Sequence, residues 1–309
     1  MDKAANFWDA YNLLESGNVF DAYKMFDKYI KSTLPLDDQV KYWDGSDICN
    51  QELYIFDDWN LLDHEFGYQV FQIGLGDYLQ YSRYFHRLEQ IESNVTVKCS
   101  LELHRLFKFN FPNINFVQTT PSYYDHLFFG CSFPAILGVH KYQPYLKSSE
   151  KSSLQECNDL KIGICWASAV PSRSLPLRAL EPILETLGCK FWAIQKGPAL
   201  SELGDLQKLK LINYLALNDF SHTASIVSNL DLVISVDTSV AHLAGAMGKP
   251  VWLILDNKAD LRWGRDNTTL WYPTMRIFRN SDGEEINCLI NSIAVELSSY
   301  RREIISQRK

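Results

Sequence analysis

Asp237, Thr238, Ser239 and His242 stand in the run Asp231-Leu-Val-Ile-Ser-Val-Asp-Thr-Ser-Val-Ala-His-Leu-Ala-Gly-Ala-Met-Gly-Lys-Pro250. Residues 231–236 are rich in apolar and β-branched side chains on both faces, as a buried parallel strand should be. A helix over 240–247 follows almost at once and closes at Gly248, with Pro250 beyond it. Asp237 is then a suitable N-cap, and Thr238 and Ser239 place two hydroxyls beside free backbone N–H groups. Those N–H groups and the helix dipole favour negative charge, so a phosphate or pyrophosphate is the natural guest. Asp237, itself anionic, should face the cap or a sugar hydroxyl. His242, one turn further in, could donate to a phosphate oxygen. The same spacing also describes a plain capped helix with a buried, hydrogen-bonded histidine.

Two other segments carry chemistry. Trp166-Ala-Ser168-Ala-Val-Pro-Ser172-Arg173-Ser174 is a loop between a strand and a helix. Its hydroxyls and Arg173 could meet a phosphate, or form an ordinary polar connection. Gly74-Leu-Gly76-Asp77 reads as a turn leading into an apolar helix, with Asp77 at the helix start. Asp77 is either an N-cap after a flexible turn or a general base. The short glycine motif lacks the third glycine of the dinucleotide fingerprint. No P-loop, Gly-x-Ser-x-Gly or His-Glu-x-x-His sequence occurs. Nothing in these motifs calls for a metal.

The elements around these motifs alternate. Strands are expected at 52–56, 94–99, 114–117 and 126–129, with a helix at 101–109. Residues 147–158 are polar and serine-rich, a linker near the middle of the chain. Beyond it, strands are expected at 161–166, 190–195, 231–236 and 251–255, with a further candidate at 209–214. Helices are expected at 176–187 and 223–229, and an amphipathic helix at 284–302. Strand–helix alternation predicts an α/β fold with parallel sheets. Two such halves suggest twin Rossmann-like domains facing a cleft, with a ligand at the carboxyl ends of the strands. Two short helices over residues 6–32, broken at Gly17-Asn18, form an N-terminal helical hairpin. The spacing Gly17, Ala22, Phe26 and then Pro35 is like one tetratricopeptide unit, and such a unit could dock a protein partner.

Size and composition bound the rest. At about 150 residues per domain, 309 residues suggest two domains. A hydrophobic share of 46% is ordinary for a globular protein, so long disorder is not expected. A net charge of −7 argues against gripping nucleic acid through bulk positive charge. Seven cysteines without a Cys-x-x-Cys pair fit a reducing cytoplasm. Neither a signal peptide nor a membrane-spanning run is evident. A cytoplasmic protein is expected, with peripheral contact at the inner membrane face as an alternative.

The stretch 231–279 resembles glycosyltransferase family 9, the heptosyltransferase-like proteins, and is nearest the branch with N-terminal tetratricopeptide repeats. The run from Asp231 to Trp252, Arg262-Trp263-Gly264, and Trp271-Tyr272-Pro273 through Arg279 carry that resemblance. Weaker echoes are Trp43-Asp44-Gly45, Gly74-Leu-Gly76-Asp77, Tyr124-Asp125-His126, and residues 161–166 with Gln195-Lys196-Gly197. The resemblance implies a GT-B fold: a hairpin at 1–35, an acceptor domain at 36–147, a linker at 148–160, a donor domain at 161–280 and a C-terminal helix. It implies sugar transfer from a nucleotide-diphosphate sugar to an acceptor hydroxyl on a glycan, lipid-linked saccharide or protein, with inversion. It requires no cofactor or metal, the nucleotide sugar being a substrate. By position, Asp77 matches the base, and Thr238, Ser239 and His242 match the diphosphate-binding helix start, with Asp237 beside it. Ser168 and Arg173 fall in the phosphate loop, and Gln195 lies where the family meets ribose or base. This chain departs from the family in three places. Residues 57–73 separate its first strand from the glycine turn, Arg173 stands in a loop without the usual lysine, and His222 replaces a common acid. A sugar-nucleotide epimerase and a catalytically silent docking module are the competing readings.

Overall fold

The computed structural model describes residues 3–56, 74–138, 142–152, 154, 157–256, 260–280 and 285–308. The expected insertion at 57–73 lies outside the described residues. The chain divides into two compact units, Met1–Tyr145 and Leu146–Lys309.

The first unit opens with α1 (Lys3–Glu15) and α2 (Val19–Thr33), which pack on each other across Gly17. Gly17 has φ +83°, a conformation that a side chain disfavours. Then come α3 (Leu36–Lys41), β1 (Glu52–Phe56), α4 (Leu75–Tyr81), α5 (Phe85–Leu88), β2 (Asn94–Lys98), α6 (Leu101–Asn110), β3 (Asn115–Val117), β4 (His126–Phe129) and α7 (Phe133–Leu137). The four strands form a parallel sheet in the order β3-β2-β1-β4. β1 lies inside the sheet, and its residues Leu53 to Phe56 are all buried, which is why that strand shows no polar alternation. α6 starts where the Ser100 hydroxyl accepts the Glu102 N–H at 3.1 Å. It buries Leu103, Leu106 and Phe107, and Phe85 meets Phe107 and Phe111 edge-on at 5.5 and 5.2 Å.

The second unit contains β5 (Leu160–Cys165), α8 (Glu181–Leu184), β6 (Cys189–Ala193), α9 (Gly204–Lys208), β7 (Asn213–Tyr214), α10 (Phe220–Ser228), β8 (Leu232–Val236), α11 (Ser239–Ala246), β9 (Val251–Leu255), β10 (Met275–Arg279) and α12 (Ile286–Gln307). Its parallel sheet has the order β10-β9-β8-β5-β6-β7. β5, β8 and β9 are buried along their whole length. One sheet face carries Ile162, Ile164, Ile234, Trp252 and Ile254, and α12 adds Leu289, Ile290, Ile293 and Leu297 to the same core. Each such side chain, fully buried, contributes roughly 1.5–3 kcal/mol.

Four expectations need correction. The helix expected at 176–187 is a 3-10 turn, Leu177–Leu180, followed by the single-turn α8. Pro182 has no N–H to give and its ring crowds the preceding turn, so it is accepted in the first turn of α8 but not in the interior of a helix begun at 176. The strand expected at 209–214 is reduced to Asn213–Tyr214. β10 was not expected as a strand, because Arg276 and Arg279 interrupt its apolar run, and it forms one edge of the sheet. Gly74-Leu-Gly76-Asp77 is not a turn before a helix. Gly74 is the N-cap, with φ −79°, and α4 already includes Leu75, Gly76 and Asp77.

Candidate functional site

β8, β5 and β6 are neighbours in the second sheet and end on the same edge. The loop 166–174, Gln195 and the start of α11 follow those three ends, the place where open parallel sheets collect ligands. β8 runs almost directly into α11. Thr238 is the N-cap, with extended backbone, and Ser239 is the first helical residue. Asp237, expected as the cap, stands one residue too early. Thr238 makes no side-chain cap bond, since its hydroxyl lies 2.9 Å from that of Ser235. The cap side chain therefore does not answer the N–H groups of the first turn, which an α-helix cannot satisfy by itself.

Asp237 turns instead to the loop after β5. Arg173 Nη1 lies 2.9 Å from Asp237 Oδ2. The other nitrogen, Nη2, lies 3.9 Å from Asp260 Oδ2. Asp260 is in turn held by Arg262, through Nη2 at 3.0 Å and the backbone N–H at 3.0 Å. The two acids differ in character. Burial pushes the Asp237 carboxyl above its usual value, against the pull of Arg173 and Arg262. Burial acts on Asp260 in the same direction, but Arg262 and Arg173 outweigh it and hold that carboxyl below its usual value.

The loop itself is fixed from β6. Gln195 Oε1 accepts the N–H groups of Trp166 and Ala167 at 3.1 and 2.9 Å, and its Nε2 donates to the carbonyls of Ala167 and Lys196 at 3.1 and 2.9 Å. Both amide hydrogens are thus committed, and Gln195 acts as a brace under the loop. Ser168 is tied within the loop: its N–H donates to Ser174 Oγ at 3.0 Å, and its own hydroxyl accepts from the Val170 N–H at 3.3 Å. Cys165, beneath this loop, is inert: burial pushes its thiol up to about 11.

His242 is buried, with Nδ1 3.0 Å from the Tyr272 hydroxyl and its ring 4.8 Å from that of Trp263. Tyr272 fits because residue 245 is glycine. A Cβ there would lie 2.6 Å from the tyrosine ring.

Asp77 belongs to the first unit, at the third position of α4. Its Oδ2 accepts the Gly74 N–H at 2.9 Å, and its own N–H donates to the Gly74 carbonyl at 2.9 Å. The carboxylate therefore closes the helix start from inside the first turn. Gly76 is the second residue of that turn.

The structure thus gathers Arg173, Asp237, Thr238 and Ser239 about one helix start, with His242 behind them and Ser168 and Gln195 shaping the neighbouring loop. Asp260, Arg262, Trp263 and Tyr272 also belong to this assembly, and spacing alone did not assign them. Arg262, Trp263 and Tyr272 were signalled only by their place in the Arg262-Trp263-Gly264 and Trp271-Tyr272-Pro273 runs, and Asp260 by nothing. Among the described residues, no group of three His, Cys, Asp or Glu is placed to hold a metal. No helix among them is long and apolar enough to cross a membrane.

Residues 135–288 match the model of glycosyltransferase family 9 (heptosyltransferase). Protein FlbA of Caulobacter vibrioides is 30% identical over 131 residues, covering 38% of this chain and 22% of FlbA. The glycosyltransferase family 9 structure from Veillonella parvula has a TM-score of 0.54 at 12% identity, covering 86% of this chain and all (100%) of that one. E. coli ADP-heptose LPS heptosyltransferase II has a TM-score of 0.52 at 11% identity, covering 80% and 99%. The iron-containing dodecameric glycosyltransferase TibC of E. coli has a TM-score of 0.51 at 13% identity, covering 77% and 64%. These likenesses establish an α/β fold of the heptosyltransferase, GT-B kind. The chain spans about a fifth of the length of FlbA and under two thirds of TibC. The matched segment, residues 135–288, holds the β8–α11 junction and its charged neighbours, and this part of the chain belongs to glycosyltransferase family 9.

Proposed function

We propose that this protein is a glycosyltransferase that moves a sugar from a nucleotide-diphosphate sugar to an acceptor hydroxyl. The observation that carries this reading is the β8–α11 junction. A helix start without a side-chain cap stands beside the Arg173 guanidinium, within the segment that matches the family. The diphosphate sits at that helix start, where N–H groups and Arg173 offset its charge. Asp77 is the base. Its carboxylate takes the proton of the acceptor hydroxyl while that oxygen bonds to the anomeric carbon. The bond from the anomeric carbon to the phosphate oxygen breaks, and its electron pair leaves with the nucleoside diphosphate. This single displacement inverts the anomeric centre. With an arginine and helix N–H groups as counter-charges, the scheme runs without a metal ion. TibC has been crystallised with ADP-D-β-D-heptose and heptosyltransferase WaaC with ADP, so adenine nucleotides are the first donors to try.

A thermal-shift screen with ADP, UDP, GDP, CMP and their sugar conjugates tests the reading. A ligand at a hundred times its dissociation constant stabilises the native state by about 2.7 kcal/mol. The expected result is a clear shift with one nucleoside diphosphate, lost in Arg173→Ala. No shift with any of them, for a folded sample, would transfer the weight to a catalytically silent docking module.

A further inference from the structure

Arg173 ends the short 3-10 turn Pro171–Arg173, on a largely polar connection, and its side chain is 35% exposed. A side chain this long and accessible has no reason to hold one place. A single ion pair at such a site contributes little, and the arginine has rotamer entropy to lose. Here, though, the guanidinium is reached from two sides. Asp237 takes Nη1 at 2.9 Å and Asp260 faces Nη2 at 3.9 Å. Asp260 is not loose either. Oδ1 accepts the Arg262 N–H at 3.0 Å, and Oδ2 lies 3.0 Å from Arg262 Nη2. The four side chains form a row of alternating charge, Arg262, Asp260, Arg173, Asp237, that ends at the residue before the α11 N-cap.

We propose that Asp260, braced by Arg262, is a positioning residue that holds Arg173 at the start of α11, ready for the diphosphate of a nucleotide ligand. The proposal rests on the diphosphate reading of that helix start. Asp237 alone would leave the guanidinium to rotate about one contact. The second carboxylate, 3.9 Å from Nη2, opposes that rotation by charge attraction, so part of the ordering of Arg173 precedes the ligand and affinity rises.

The sign of one substitution separates this role from simple electrostatics. Asp260 puts negative charge beside an anion site. On charge alone, Asp260→Asn should tighten binding of a nucleoside diphosphate. On positioning, it should weaken it.

ADP, UDP and GDP are titrated calorimetrically into the full chain, and the tightest is carried to the variants. The expected result is that Asp260→Asn weakens binding about threefold to tenfold, and that the same change has no further effect in an Arg173→Ala background. Arg262→Gln, which leaves the Asp260 charge in place, should weaken binding in the same Arg173-dependent way. It serves as the test if Asp260→Asn does not fold by thermal unfolding. Tighter or unchanged binding in Asp260→Asn overturns the proposal. So does an equal loss with and without Arg173, or an Arg173→Ala protein that binds as well as wild type. If the wild-type chain binds none of the three nucleotides, the functional reading itself falls and this proposal falls with it.

Discussion

Gln195 and Ala167 exchange two hydrogen bonds: the Ala167 N–H donates to Gln195 Oε1 at 2.9 Å, and Gln195 Nε2 donates back to the Ala167 carbonyl at 3.1 Å. A buried side chain from the end of β6 thereby stands in for a strand partner just beyond β5. Gln195→Ala should leave the Trp166 and Ala167 N–H groups without this acceptor. Each buried group left unsatisfied costs about 1–3 kcal/mol. The expected loss of stability is about 2–4 kcal/mol by urea unfolding, and a loss below about 0.5 kcal/mol would show that the brace is dispensable.

Asp77 carries two roles that substitution can separate. Asp77→Asn keeps an oxygen to accept the Gly74 N–H, so unfolding should stay close to wild type. Asp77→Ala removes that acceptor and should lose about 0.5–2 kcal/mol. Both remove the base and should cut sugar transfer by about 10²- to 10⁴-fold. Full activity in Asp77→Asn would rule out the base assignment.

Asp237 and Asp260 share Arg173 but should respond oppositely to pH. The Asp237 carboxyl is raised by burial. Its contribution to stability is therefore present below its unfolded value and lost as pH rises through the folded one. The Asp260 carboxyl is lowered, chiefly by Arg262 once burial is overcome. Its contribution is present above the unfolded value and lost as pH falls through the folded one. At neutral pH, without nucleotide, Asp260→Asn should destabilise the protein, whereas Asp237→Asn should leave it level or more stable. Any gain in Asp237→Asn should shrink as pH falls towards the unfolded carboxyl range. Urea midpoints of both variants at neutral pH and near pH 4.5 give the comparison.

Gly245→Ala should be disproportionately harmful for a one-methyl change. The new Cβ would meet the Tyr272 ring at 2.6 Å, and that ring also holds His242 through its hydroxyl. Overpacking of this kind costs about 1–3 kcal/mol. Tyr272→Phe keeps the ring and removes only the bond to His242, so it should cost about 1 kcal/mol. Thermal unfolding of the two variants tests the ranking, and equal effects would mean that the close approach relaxes freely.

Much of this was legible because long apolar runs leave little choice. β8 and β9 are buried along their whole length, and their sequences contain almost no polar residue to suggest another state. The helix start at 238–242 was legible for the same reason, being pinned between such a strand and Gly248. What escaped was set by single residues or by distant ones. Pro182 cut a helix that apolar periodicity alone would extend. The N-cap fell on Thr238 because the backbone is still extended there, which side-chain type does not reveal. Asp260 belongs to no motif, and the run that contains Arg262 does not say which residue that arginine meets. Only the fold brings them to Arg173, almost 90 positions earlier in the chain.

The place of α12 has a consequence for synthesis. The sheet of the first unit is complete once β4 is made, at Phe129. The second unit is different, because Leu289, Ile290, Ile293 and Leu297 of α12 belong to the core that also holds β5, β8 and β9. After Leu255 leaves the ribosome, about 40 more residues must follow before that face is covered. At about 5–20 residues per second, this takes about 2–8 s. During that interval the nascent second unit lacks the helix that packs on α8 and β10 and whose Tyr300 meets the Trp252 ring at 5.4 Å, so a ribosome-associated chaperone would have its longest opportunity there.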